Sequence, residues 1–184
     1  MMSEELLIRH CAPTLAGLKT GNLFTAAVES EAELQKSACQ LNAAYRSKGL
    51  QVVPLRYRNG RALVYVYRPK MLAQDLQQKE AAKILTAGGY RPQCPGFCIA
   101  CLRRKLQQNE DFPHEVGLFL GYPPEDVSGF ICNKAENCKC VGCWKVYGDA
   151  AAAQKTFAKF KKCTAVYCAQ YAQGKSMERL IVAV

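Results

Sequence analysis

Cysteine and histidine side chains are the groups in this chain whose types and spacing could do chemistry. The 184 residues include eleven cysteines and two histidines. Six of the cysteines form two clusters: Cys94, Cys98 and Cys101, then Cys138, Cys140 and Cys143. Cysteines two to four positions apart can direct their sulfurs to one point, which is the geometry that a soft metal needs. If the clusters fold together, they could hold zinc or an iron–sulfur cluster. If they do not, they are inert or redox-sensitive thiols.

A second constellation combines a thiol with a histidine. Cys11 lies two residues before Pro13, so it could stand at the start of a restarted helix, where the dipole lowers the pKa of a thiol. His114 could then act as a base, with Glu115 or Asp126 orienting its ring. This pattern predicts a thiol-dependent enzyme with Cys11 as nucleophile. The alternative is a buried thiol and a hydrogen-bonded histidine that do no chemistry.

Composition favours a cytoplasmic protein with a sizeable core. The chain is 49% hydrophobic, yet no apolar run approaches the roughly 20 residues of a membrane span. The acidic N-terminus has no long apolar stretch and does not read as a secretory signal. We therefore expect reduced cysteines rather than a disulfide framework, and no membrane partner.

Positive charge is unevenly distributed along the chain, which has a formal net charge of +10. Residues 61–110 carry nine lysines and arginines against three acidic residues, whereas residues 111–147 carry three against five. A basic surface can attract an acidic protein or a nucleic acid. A basic binding module is therefore another functional hypothesis, and an ordinary solvated surface is the simpler interpretation.

Periodicity and turn signals predict a mixture of helices and strands. The Asn59-Gly60 dipeptide between two apolar runs is a strong hairpin signal. Pro13 is expected to interrupt or restart the first helix. Helices are expected after Ser3, Ser30, Pro69, Pro95, Pro123 and Asp149, and strands at 22–28, 51–57, 61–67, 116–120 and 143–147. The pattern predicts one α+β domain over residues 1–184, with a mixed, mostly antiparallel sheet of about five strands packed with helices.

Three ordered motifs resemble the domain-of-unknown-function 3793 family, a group of proteins from anaerobic, mostly clostridial bacteria. They are the segments 10–24 and 112–130, and Trp144-Lys-Val-Tyr147 followed by an alanine-rich helix. The resemblance implies a cytosolic bacterial protein of one domain and no assigned activity. Most of the clustered cysteine positions lie outside the family's pattern, so a metal site would be a property of this chain.

These motifs contain the residues of the leading functional hypothesis, a ligand or metal site centred on histidine and cysteine. Both histidines lie within the resembling segments. The residues expected to contact a ligand are His10, Lys19, Tyr122 and Asp126, beside Cys11, His114 and Glu115. This hypothesis requires a histidine in a pocket with other polar groups. The thiol-enzyme hypothesis requires Cys11 to be partly exposed and within hydrogen-bond reach of a histidine nitrogen.

Overall fold

Nine α-helices and five short β-strands form the part of the chain that the structure, a computed structural model, describes: residues 3–108 and 112–183. The strands are β1 (Gly21–Ala27), β2 (Gln51–Arg58), β3 (Arg61–Tyr67), β4 (Cys140–Val141) and β5 (Lys145–Val146). The helices are α1 (Glu4–Leu15), α2 (Glu31–Tyr45), α3 (Pro69–Gln77), α4 (Lys79–Ala87), α5 (Pro95–Gln108), α6 (Val116–Phe119), α7 (Pro124–Cys132), α8 (Ala150–Ala172) and α9 (Met177–Leu180). The predicted α+β class, with about five mostly antiparallel strands, is confirmed.

The central sheet has three antiparallel strands in the order β1-β3-β2. Asn59 and Gly60 join β2 to β3, and both have positive φ (50° and 73°). A two-residue turn of this kind matches the twist of the strands that it connects. The predicted hairpin is therefore confirmed. The other two strands form a separate antiparallel ribbon, β4-β5.

The middle strand, β3, is buried on both faces of the sheet. Ala62, Val64 and Val66 point into one hydrophobic cluster, and Leu63, Tyr65 and Tyr67 point into the other. This alternation follows from the two-residue period of a strand. The tyrosine rings at 65 and 67 stack with centroids 4.8 Å apart, as expected for packing residues. Helices therefore cover both faces of the sheet.

Helices α1, α2 and α9, with part of α8, cover the first face. Leu7, Leu34 and Met177 are among their buried residues there. Ser30 caps α2 by accepting a hydrogen bond from the Glu33 backbone amide at 3.2 Å, as the capping signal predicts. Asp149 caps α8 in the same way, through the amides of residues 151 and 152.

Helix α1 runs through Pro13 without interruption and ends at Leu15, so the predicted break is wrong. The buried Arg68 side chain accounts for how this helix ends. It donates to the carbonyls of Thr14 (2.8 Å) and Leu15 (2.5 Å), and also to that of Lys48 (2.7 Å). A guanidinium group thus satisfies carbonyls that the end of a helix leaves without partners.

Helices α3 to α7 cover the second face and lead into the ribbon. The segment Val116–Phe119 is helix α6, so the predicted strand at 116–120 is wrong. A short apolar run has no periodicity that separates a strand from a buried helical turn. Here its residues pack against the sheet's tyrosines, and the Tyr65 hydroxyl donates to the Phe119 carbonyl at 2.5 Å. None of the described helices has the length and apolar character needed to cross a bilayer.

Candidate ligand-binding site

The two cysteine clusters do not assemble into a metal site. Cys98 and Cys101 of α5 are buried in the core on the second face of the sheet. Cys94, which precedes α5, is exposed. The Cys98 thiol donates to the Arg91 carbonyl at 3.0 Å. Cys138, Cys140 and Cys143 lie in and around the ribbon, at or near the surface. In the described ranges no three histidine, cysteine or acidic side chains come together as metal ligands, so the predicted zinc or iron–sulfur site is not formed.

Cys11 lies in the core and does not meet the conditions for a nucleophile. It is completely buried among the residues that pack α1 against the sheet. Burial raises the pKa of its thiol well above the ordinary range, and the charge of Lys19 offsets only part of this shift. His10, its neighbour, is exposed and stacks on Phe24 with ring centroids 5.5 Å apart. The arrangement is that of a core thiol.

Glu115 has a structural role on the opposite side of the sheet. Its carboxylate accepts hydrogen bonds from Lys105 at 2.6 Å and from the Tyr90 hydroxyl at 3.0 Å. Burial would raise the pKa of Glu115, but these hydrogen bonds outweigh it and hold the pKa below its usual value. Lys105 also donates to the Gly88 carbonyl at 2.9 Å. The pair therefore ties the start of α6 to α5 and to the end of α4, and it does not orient His114.

His114 lines a cleft of about 330 Å³ between α6, α7 and the β4-β5 ribbon. Nine lining residues come from the segment 112–130, and four come from residues 141–145. Its rim includes Phe112 and Val141, which are 40% and 68% exposed. Exposed apolar side chains that border a concavity are typical of a binding site rather than of an ordinary surface.

Three aromatic rings form a continuous wall, of which Tyr122 and Trp144 line the cleft. Tyr122 stacks on Trp144 with centroids 4.7 Å apart, and the edge of Phe157 from α8 meets the same indole at 4.5 Å. Burial raises the pKa of Tyr122 to about 12, with a further contribution from Cys143, so its phenol stays neutral. The Tyr122 hydroxyl donates to the Cys143 carbonyl at 3.2 Å. The wall thus joins the turn before α7 to the ribbon and to α8.

Asp126 holds this wall in place. The side chain is 3% exposed, and one carboxylate oxygen accepts a 2.7 Å hydrogen bond from the Trp144 indole nitrogen. The other oxygen accepts 2.7 Å hydrogen bonds from the amides of Tyr147 and Gly148. Three donors to a buried carboxylate form a strong, well-directed network. Asp126 is therefore mainly a positioning residue for Trp144.

Two side chains bring polar groups to the largely apolar cleft. His114 is exposed and meets Phe130 edge-on, with centroids 5.1 Å apart. Lys145 lines the opposite side and donates one hydrogen bond, to the Ala135 carbonyl at 2.7 Å. An ammonium group has three donors, and an imidazole has a donor or acceptor at each nitrogen. Both side chains can therefore contact a polar edge of a ligand.

A comparison with protein families bears on how general this cleft is. The model of the family described as "Protein of unknown function (DUF3793)" matches residues 7–181. The chain belongs to this family. The matched range includes every residue that lines the cleft. No curated protein and no solved structure matches the chain. For this DUF3793 protein, the geometry of the cleft is therefore the main guide to function.

The remaining predicted ligand residues, His10 and Lys19, line a second and smaller pocket of about 200 Å³. Lys19 is 8% exposed, and its ammonium group lies over the rings of Tyr122 (5.2 Å) and Phe160 (5.9 Å). Tyr122 is also part of the cleft wall. The structure thus brings Tyr122, Asp126 and His114 together and places His10 and Lys19 beside them in a separate pocket.

Sequence reasoning missed the residues that give the cleft its shape. Trp144 is half-buried and forms one side of the cleft. Val141 carried no signal of a site at all. The one usable signal was that Phe130, Trp144 and Lys145 fall in the motifs shared with the family. Their convergence depends on how α7 meets the ribbon, which local patterns do not specify.

Proposed function

We propose that this protein binds a small, planar and largely apolar molecule in the cleft between α6, α7 and the β4-β5 ribbon. The observation that carries the proposal is the concavity itself, of about 330 Å³, walled by Tyr122, Trp144 and Phe130. Ligand pockets in proteins are typically roughly 300–1,000 Å³ and lined mainly by apolar and aromatic side chains. The cleft is at the small end of that range, which favours one or two fused or linked rings.

The arrangement of polar groups supports a ring system with a polar edge. Aromatic walls bind flat rings through stacking and edge contacts, which add to the gain from burying apolar surface. His114 and Lys145 can each donate to an acceptor on the edge of such a ring. Among the described residues, neither is paired with a carboxylate across the cleft. A flat ligand with a carbonyl or ring-nitrogen acceptor would therefore match both the aromatic walls and the polar groups of the cleft.

Binding without thiol chemistry is favoured by where the candidate catalytic groups lie. Cys11 is buried away from the cleft, and Glu115 is engaged by Lys105 and Tyr90. Asp126, the one acid among the described residues that line the cleft, accepts three hydrogen bonds from the protein. A general base needs an oxygen that can reach the substrate's proton, and this carboxylate is engaged in holding Trp144.

A neutral aromatic dye tests the proposal. N-phenyl-1-naphthylamine has two linked aromatic groups and fluoresces more strongly in an apolar environment. We expect it to bind the native protein at one site. Replacing Val141 with aspartate places a charge on the cleft rim at a side chain that is 68% exposed, so the fold should tolerate it. Binding of the apolar dye beside the aspartate would desolvate its charge, which is unfavourable. The affinity of this variant for the dye should therefore fall about tenfold or more.

Val166→Asp is the matched control. Val166 is an exposed valine on α8 that does not line the cleft, and it is 42% exposed. This variant should bind the dye as the native protein does. Equal affinity of all three proteins for the dye, or no saturable binding to the native protein, would contradict the proposed function.

A further inference from the structure

Lys19 is a buried cation that pairs with no carboxylate among the described residues. Its side chain is 8% exposed, and in the described part of the chain no carboxylate pairs with its ammonium group and no hydrogen-bond acceptor lies within reach of it. Its ammonium group lies over two aromatic faces, those of Tyr122 and Phe160. A buried charge is costly unless it is paired, and cation–π contacts recover only part of that cost. An unpaired charge at this position therefore lowers the stability of the fold unless a ligand supplies a counter-charge.

The pocket that Lys19 enters is rich in donors. Its volume is about 200 Å³, and the lining includes His10 from α1, Asn22 from β1 and Lys161 from α8. The Asn22 carbonyl oxygen accepts a 2.7 Å hydrogen bond from the Thr14 hydroxyl, which leaves the amide nitrogen as its other polar group. No aspartate or glutamate is among the described residues that line the pocket.

We propose that this pocket is a binding site for a small oxyanion, a carboxylate or phosphate group, with Lys19 as its central ligand. An oxyanion would supply the counter-charge that Lys19 does not receive from the described residues. The pocket is partly desolvated, and charge-assisted hydrogen bonds are strong in such surroundings. Lys161 and the Asn22 amide would supply further donors. Burial lowers the pKa of Lys19 to about 8, against smaller opposing effects of Cys143 and Cys11, and a bound anion would raise it again.

The oxyanion site is distinct from the cleft of the proposed function, although both touch the same aromatic wall. Tyr122 lines the cleft and faces Lys19, and Phe157 lines the second pocket and meets Trp144. Either site could exist without the other. Val141→Asp should leave oxyanion binding intact, and a Lys19 variant should still bind the neutral dye. Failure of one site is therefore distinguishable from failure of the other.

Calorimetric titration of inorganic phosphate and of acetate, at pH 7 and constant ionic strength, tests the proposal. We expect at least one of them to bind the native protein at a single site, and the preferred anion identifies the group. Lys19→Met keeps the length and apolar stem but removes the charge, and affinity should drop at least about tenfold. Lys162→Met, an exposed lysine outside the pocket, is the matched control and should bind as the native protein does.

A second measurement uses the native protein alone and does not depend on how a variant folds. At pH 8 Lys19 should react with formaldehyde and a borohydride reductant, and bound phosphate or acetate should slow this dimethylation relative to that of Lys162. No binding of either anion, equal binding by Lys19→Met, or unprotected Lys19 would overturn the proposal.

Discussion

Asp126 and Lys19 are both buried charged residues beside the same aromatic wall, but the protein treats them differently. Asp126 accepts hydrogen bonds from the Trp144 indole and from two backbone amides. In the described part of the chain, Lys19 pairs with no carboxylate, and its ammonium group lies over the faces of Tyr122 and Phe160. A buried polar group with partners rigidifies its surroundings, whereas one without partners destabilises the fold. Asp126 therefore positions the side chains of the site, whereas Lys19 is available to bind a ligand.

Asp126→Asn tests the role of the carboxylate. An amide can accept from one side only, so its nitrogen must face either the Trp144 indole or the two backbone amides, all of which are donors. We expect a loss of about 2–4 kcal/mol in the free energy of unfolding, measured in urea. Trp144, the one tryptophan in the chain, should also show altered emission. The exposed neighbour is the control: Glu125→Gln should change neither quantity, and an equal loss in both variants would refute this role.

Lys19→Met should raise stability in a pH-dependent way. The pKa of Lys19 falls from 10.5 to about 8 on folding, which corresponds to a destabilisation of about 3 kcal/mol below pH 8. This cost declines as the pH rises from about 8 to about 10.5, because the folded protein then loses the proton first. The variant should therefore be more stable than the native protein at pH 7, and the difference should shrink towards pH 10.5.

Urea unfolding at several pH values, with Lys162→Met in parallel, measures this difference. Thiols and tyrosines titrate in the same way in both proteins, so their effect on stability cancels when the two free energies of unfolding are subtracted at each pH. A gap that stays constant from pH 7 to pH 10.5, or a Lys19→Met protein less stable than the native one at pH 7, would be inconsistent with a desolvated lysine.

Among the elements, the contact between α7 and the β4-β5 ribbon sets the width of the cleft. Gly129 faces Tyr147 across this contact, and a methyl group there would lie 2.5 Å from the Tyr147 Cβ atom. A real Cβ atom does not approach another carbon so closely, so the glycine is needed for the close approach of the two elements. The aromatic wall and the carboxylate of Asp126 are positioned by the same contact.

Gly129→Ala should therefore be destabilising, although alanine is the better helix former. Helix propensity alone would favour alanine by about 1 kcal/mol. We expect the steric conflict with Tyr147 to outweigh this gain. The free energy of unfolding should fall by roughly 1–3 kcal/mol, and the dye should bind more weakly. Ser128→Ala on the same helix is the control and should change stability little. A more stable Gly129→Ala protein would show that the helix and the ribbon are not held together as described.

The elements that sequence predicts well are those specified by local chemistry. Ser30 and Asp149 cap helices through side-chain oxygens a few residues from the amides they accept from, and Asn59-Gly60 forms its turn with no distant partner. The segment 116–119 was assigned wrongly because its short apolar run has no decisive period. Pro13 was assigned wrongly because the end of α1 is held by Arg68, which is more than fifty residues away.

At the scale of the whole molecule, the cleft and the second pocket arise from contacts between segments far apart in the chain. Trp144 meets Tyr122 on one side and Phe157 on the other, and Lys19 reaches the same wall from the turn after α1. The six clustered cysteines were prominent in sequence, but α5 directs two of them into the core and the ribbon keeps three at or near the surface. Spacing showed which residues could do chemistry, and only the tertiary contacts show which ones share a site.

Trp144 provides the most direct test of the central claim, that a planar apolar molecule binds in the cleft. It is the single tryptophan of the chain and forms one wall of the site, so its emission reports on this place alone. Titration with N-phenyl-1-naphthylamine should quench that emission saturably at one dye per chain. Val141→Asp should shift the quenching to dye concentrations about tenfold higher or more, whereas Val166→Asp should leave it unchanged. Saturable dye binding that leaves Trp144 emission unchanged would contradict the account.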